Sequence, residues 1–232
     1  MSELVSKSGT NRFSKGDLSL KVLISFAFAF VLTNALVAQS VYELPFASKD
    51  NTIDLGIENT ASIQVKQVKV KVEGQPDWIS FRSTETIIDG LSNGEEKTAS
   101  FIFSVDKKAP VRRDQKLTFV ITGPNNQSWT KEITVSVAPP ERFELFQNYP
   151  NPFNPVTVIS YQLTVDSKVS LKIFNLLGQE VATLLDGDQM AGFHETAWNA
   201  SSMASGTYVY RLVTKDQAGN DVVAQKRMVV VK

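Results

Sequence analysis

His194 is the one histidine of the 232-residue chain, so any histidine-based triad or multi-histidine metal site would have to be built on it. Two carboxylate pairs could do other chemistry. Glu95-Glu96 and Asp186/Asp188 have the residue types of a glycosidase acid–base pair or of a calcium loop. Both sit at turn signals, and neither has the ligand spacing of a calcium-binding hand. They read as solvated turns. Cysteine is absent, which removes disulfides, thiolate metal sites and a lipid-modified N-terminal cysteine. The sequence holds no phosphate-cradling glycine loop, dinucleotide fingerprint or nucleophile elbow. The expectation is a protein that is not an enzyme, with no catalytic residue, no metal and no cofactor. Trp78, Phe81 and Trp129 could stack on a sugar if exposed, but aromatics in small β domains more often fill the core. Trp129, beside the Gly123–Ser128 turn, is the one expected to be partly exposed.

The elements around these residues read as strands. From Tyr42 to Ala138 apolar and polar residues alternate with period two. Ile53, Leu55 and Ile57 share a face, as do Val68, Val70 and Val72, then Phe101, Phe103 and Val105, then Leu117, Phe119 and Ile121, then Ile133, Val135 and Val137. Ile63 and Val65 fall on the opposite phase, which suggests a bulge near Lys66-Gln67. Turn signals at Gly74–Asp77, Asn93-Gly94 and Gly123–Asn126 separate the runs. About seven short strands in about 100 residues imply an immunoglobulin-like β-sandwich over 41–138. Pro139-Pro140 then interrupts the pattern, since proline cannot donate to a sheet ladder, and 139–147 reads as a proline-containing linker. A second, smaller sandwich follows over 148–232. Its strand faces carry Ile159, Tyr161 and Leu163; Val169, Leu171 and Ile173; His194, Thr196 and Trp198; and Tyr208, Tyr210 and Leu212. Val181–Leu185 adds a strand that Asp186–Asp188 is expected to turn. The fold class is therefore all-β, two tandem sandwiches.

The N-terminus reads as an address. Lys7, Arg12, Lys15 and Lys21 precede the apolar run Val22–Leu32, and small residues follow up to Ala38. This is the layout of a secretory signal peptide over 1–38, with cleavage after Ala38. The apolar run is shorter than the ~20 residues a membrane-spanning helix needs. The mature chain is thus expected to have no stable membrane span. Basic and acidic residues number 24 each; the leader holds four and two of them, leaving 20 and 22 and a net charge of −2. Such a balance offers no field for nucleic acid or an anionic surface. The cluster Lys107, Lys108, Arg112 and Arg113 is bracketed by Asp106 and Asp114 and reads as a solvated loop.

Asn148-Tyr149-Pro150-Asn151-Pro152-Phe153-Asn154-Pro155 is followed in order by Thr157–Leu163, Val169–Val181, Ala191–His194 with Trp198-Asn199, Ser205–Leu212 and Lys226–Lys232. This ordered set resembles the type A C-terminal sorting domain of type IX secretion substrates. It is also similar to the Ig-like domain of the flagellar hook-capping protein. The resemblance covers nearly all of 143–232. Its landmarks are Asn148, Pro150, Asn151, Pro152, Phe153, Gly178, Gly192, Trp198, Gly206, Tyr208 and Lys232. It implies export through the periplasm and recognition by an outer-membrane type IX translocon. Processing by a sortase-like peptidase and release or attachment at the cell surface would follow. The last strand, Met228–Lys232, is expected to be the edge most open to a partner. The first domain resembles, loosely, Ig-like modules found beside glycosidases, on Ile57–Thr60, Trp78-Ile79, Gly94 and Ile133–Val137. These readings together imply a secreted or surface protein whose first module serves adhesion or envelope structure. The alternative is a carbohydrate- or protein-binding accessory module, with surface glycan or protein as ligand and the second sandwich as a spacer.

Overall fold

The computed structural model describes residues 19–25, 41–60, 62–216 and 218–232. The chain divides into two compact units, Met1–Ala138 and Pro139–Lys232. Of the expected leader, only Ser19–Ser25 lies among the described residues, and the cleavage point after Ala38 lies outside them.

In the first unit the strands are β1 (Ser19–Ser25), β2 (Val41–Leu44), β3 (Asn51–Glu58), β4 (Val65–Gly74), β5 (Ile79–Phe81), β6 (Glu85–Leu91), β7 (Glu96–Val105), β8 (Gln115–Thr122) and β9 (Ser128–Val137). They form two sheets in the orders β1-β3-β7-β5 and β2-β9-β8-β4-β6. The period-two residues of both sheets turn inward onto one core: Leu55, Ile57, Val70, Leu117, Phe119, Ile121, Val135 and Val137 are fully buried. Phe81 closes that core through ring contacts with Phe101, Phe103 and Phe119. The bulge expected near Lys66-Gln67 is absent. β4 starts at Val65 and stays in register with β6 through Gln67, while Ile63 lies in the preceding bend and faces solvent. The irregularity of β4 comes later, between Val72 and Gly74 against β8.

The second unit holds β10 (Glu144–Leu145), β11 (Val156–Leu163), β12 (Ser167–Phe174), β13 (Glu180–Gln189), β14 (Gly192–Asn199), β15 (Gly206–Lys215) and β16 (Asp221–Val230). The sheets run β10-β11-β14 and β13-β12-β15-β16, antiparallel throughout. Both face a core in which Ile159, Val169, Leu171, Ile173, Tyr210, Leu212 and Met228 are fully buried. Two boundaries differ from the sequence reading. Glu144–Leu145, inside the stretch expected as linker, is a strand paired with Gln162 and Tyr161. Asp186–Asp188 does not turn the chain: β13 continues to Gln189 and pairs those residues with Ser170, Val169 and Lys168. The aspartates are tolerated there because this face is wet, and Asp186 lies 3.7 Å from the Lys168 ammonium.

Candidate functional site

The second unit is closed along one side by its own lead-in. The Asn148 backbone N–H donates to the Tyr210 hydroxyl (2.9 Å), which donates in turn to the Phe146 carbonyl (2.8 Å). Tyr210 stands on β15 and is fully buried, so its O–H must be spent inside the protein. Burial pushes its pKa up to about 12, which keeps it a donor at all ordinary pH. The buried Asn148 amide then donates to the Pro150 carbonyl (3.1 Å) and to the Thr157 hydroxyl (2.9 Å), and that hydroxyl donates to Pro150 as well (2.8 Å). These bonds satisfy a polar segment that would otherwise be costly to bury.

The same lead-in runs along the outer edge of β16. Gln147 donates to the Arg227 carbonyl (2.8 Å), and the Val229 N–H donates to the Asn151 side chain (2.9 Å). The Phe153 N–H reaches the Val229 carbonyl and the Val231 N–H reaches the Phe153 carbonyl, each at 3.0 Å. Lys232 is held through its N–H on Ser205 (3.0 Å) and its ammonium on the Ser201 carbonyl (3.0 Å). The last strand is therefore not the open edge expected of it. Its outward main-chain groups at residues 227, 229 and 231 are engaged by the segment that precedes the sandwich.

Phe153 is the plug of this closure. It is buried, 5.6 Å from Trp198, which lies 5.8 Å from Tyr208. Landmarks far apart in the chain thus meet: Asn148, Asn151 and Phe153 from the lead-in, Trp198 from β14, Tyr208 from β15 and Lys232 at the end. Pro150 and Pro152 are exposed beside them. Gly206 opens β15 at φ +154, and Gly178 lies in the β12–β13 turn at φ +78. Gly192 starts β14 at the opposite end of the sandwich.

The chemical candidates disperse. His194 stacks on Tyr161 (5.2 Å between rings, 21° apart), and its Nε2 lies 2.8 Å from the Met190 carbonyl. Glu95 accepts from the Ser92 N–H (2.8 Å), which holds its carboxyl below the usual range. A general acid needs the reverse shift. Among the described residues no group of three or more His, Cys, Asp or Glu could hold a metal. Trp78 packs partly buried against the first core, and Trp129 is 36% exposed beside Gly123. No helix among the described residues is long and apolar enough to cross a membrane.

The second unit is thus a small antiparallel β-sandwich completed by a proline–asparagine lead-in. Residues 147–230 match the family model described as "Secretion system C-terminal sorting domain". The second unit therefore carries a type IX sorting domain over 147–230, which implies export through the periplasm to the cell surface or beyond. No curated protein matches the sequence. Among solved structures, dimeric latent PorU from Porphyromonas gingivalis is similar at 15% identity and a TM-score of 0.33, over 85% of this chain and 19% of that one. This chain thus spans about a fifth of the PorU chain. The CupB2 chaperone of Pseudomonas aeruginosa is similar at 12% identity and a TM-score of 0.24, over 82% and 98% of the two chains.

Proposed function

We propose that this is a non-catalytic type IX cargo. Its first sandwich serves adhesion or envelope structure, and its second is the export signal. The single observation that carries the reading is the family match over 147–230, which coincides with the closed sandwich of the second unit. In this reading the lead-in residues Asn148, Asn151 and Phe153, with Trp198, Tyr208 and Lys232, make the sandwich recognisable by completing it. A signal peptide over 1–38 starts export. Its removal after Ala38 takes β1 away and leaves β3 as the sheet edge. A sortase-like peptidase then acts in the exposed stretch near the start of the second unit, where Glu141 and Arg142 lie.

The test fuses residues 139–232 behind a signal peptide and a fluorescent cargo in a host with type IX secretion. The cargo should reach the surface or medium and stay periplasmic when the translocon is deleted. Intact mass of the native exported chain should place its N-terminus at Gln39. Export of the fusion that ignores the translocon would make the second sandwich a spacer. A glycan ligand for the first unit is the second reading, favoured by the partly exposed Trp129. An array probed with residues 41–138 and with their Trp129→Ala form would detect it.

A further inference from the structure

Among the described residues, five of the seven exposed large apolar side chains of the second unit gather at one end; Met190 and Val223 lie elsewhere. Leu176 and Leu177, 72% and 83% exposed, form the tip of the β12–β13 turn. Val156 opens β11, Val231 follows β16, and Tyr149, 81% exposed, sits on the lead-in. The register puts them at a common pole. Phe174 at the end of β12 pairs with Val209 near the start of β15, and Gly206 pairs with Val230 at the end of β16. Val156 pairs with Asn199, from which Ala200 reaches back to the Pro155 carbonyl. Tyr149 bridges to Val158, two residues further along β11. β12 and β16 are two strand spacings apart, about 10 Å, and the leucine turn joins β12 to the strand on its far side.

The leucine tip is rigid. The Asn175 side chain accepts from the N–H groups of Leu177 and Gln179, each at 3.0 Å, and donates to the Gln179 side chain at 2.8 Å. Backbone bonds from Asn175 to the Gln179 carbonyl and from Gly178 to the Asn175 carbonyl close the loop. Gly178, at φ +78, supplies the left-handed residue this turn needs. Two adjacent leucines on a turn whose backbone is already ordered leave mainly their side-chain freedom to be lost on binding. A fluid acyl layer gains little from such pre-ordering, because it moulds to whatever enters it. A shaped protein pocket gains all of it.

We infer that this pole, led by Leu176 and Leu177, is the surface that a protein of the secretion machinery reads, through an apolar pocket that takes the leucine pair. The inference rests on the sorting reading and names its contact. It moves recognition away from the last strand, whose edge the lead-in occupies.

The experiment uses the full chain with Leu176→Ser/Leu177→Ser. Purified protein should keep wild-type circular dichroism and melting, since neither side chain is in the core. In a type IX host, at least tenfold less of the variant should reach the surface, with folded protein accumulating in the periplasm. Wild-type chain in a translocon-deleted strain is the control. If the wild type is exported there equally well, the sorting reading itself fails. If the wild type needs the translocon and the folded variant is exported like it, the pole is not the contact. A third arm floats both proteins with phosphatidylethanolamine–phosphatidylglycerol vesicles. Binding by the wild type that the double variant loses would assign the leucines to a lipid surface and overturn the protein pocket.

Discussion

Tyr210→Phe isolates the clamp that holds the lead-in. It removes one oxygen and leaves the ring, so core packing is preserved. The hydroxyl is donor to the Phe146 carbonyl and acceptor for the Asn148 N–H, and both Tyr210 and Asn148 are buried, at 0% and 2% exposure. The variant strands the buried Asn148 N–H and takes the tyrosine donor from the part-buried Phe146 carbonyl. A lost hydrogen bond costs about 1 kcal/mol net, and an orphaned buried group about 1–3, so the change should cost about 2–4 kcal/mol. For a domain of this size that lowers the melting temperature by at least about 8 °C. Urea denaturation gives the free energy, and hydrogen exchange gives its location. The Asn148 amide and the Val229 and Val231 amides should exchange faster, while amides of the first unit keep their rates. A loss below about 0.5 kcal/mol, with Asn148 still protected, would show that the lead-in holds itself without the tyrosine.

Phe153→Ala should cost about 3–5 kcal/mol in the second unit, with the emission of Trp198 shifting as its ring partner disappears; unchanged melting would remove the plug from the account. Stability should also fall in alkali. Burial raises the pKa of Tyr161 and Tyr210 to about 12 in the folded chain, against about 10 unfolded. The neutral phenols therefore contribute fully below pH 10, and the contribution is lost as pH rises from about 10 towards 12. A pH series of urea midpoints measures this. Tyr210→Phe should flatten the fall, and a midpoint constant to pH 12 would contradict both shifts.

The sandwich cores were legible because burial and period two are one constraint. Leu55, Phe119, Val135, Ile159 and Leu171 all lie where the alternation places them. Alternation failed where the local signal competes with a remote partner. Asp186-Gly187-Asp188 has turn chemistry, yet it extends β13 because Lys168 and Ser170 lie opposite on β12. Ile63 has strand chemistry but precedes the strand, so its change of phase signals no bulge. The lead-in was legible as a motif and not as a clamp. Its partners are backbone groups of Phe146, Arg227 and Val229 and the hydroxyl of a tyrosine more than sixty residues away. Carbonyls carry no residue identity, and no periodicity reports which strand edge a remote segment will cover.

That closure changes what an export machine can read. An open last strand could be recognised as a bare extended peptide, folded or not, because strand pairing uses only main-chain groups. Once Gln147, Asn151 and Phe153 occupy the edge of β16 at residues 227–231, that route is shut along the last residues of the chain in the native protein. What stays outside is a pole assembled from the lead-in, the start of β11, the β12–β13 turn and the C-terminus, four segments separated by up to 82 residues. These segments come together only when the sandwich is complete. A receptor for the pole therefore binds folded cargo and passes over unfolded chain, and it needs no separate inspection step. Leu176→Ser/Leu177→Ser removes the leucine pair that leads the contact and spares the fold, whereas Tyr210→Phe loosens the lead-in and spares the leucine pair. If the pole is what is read, export in Tyr210→Phe should fall only in proportion to the fraction of second unit unfolded. A larger loss at full folding would place the receptor on the lead-in itself.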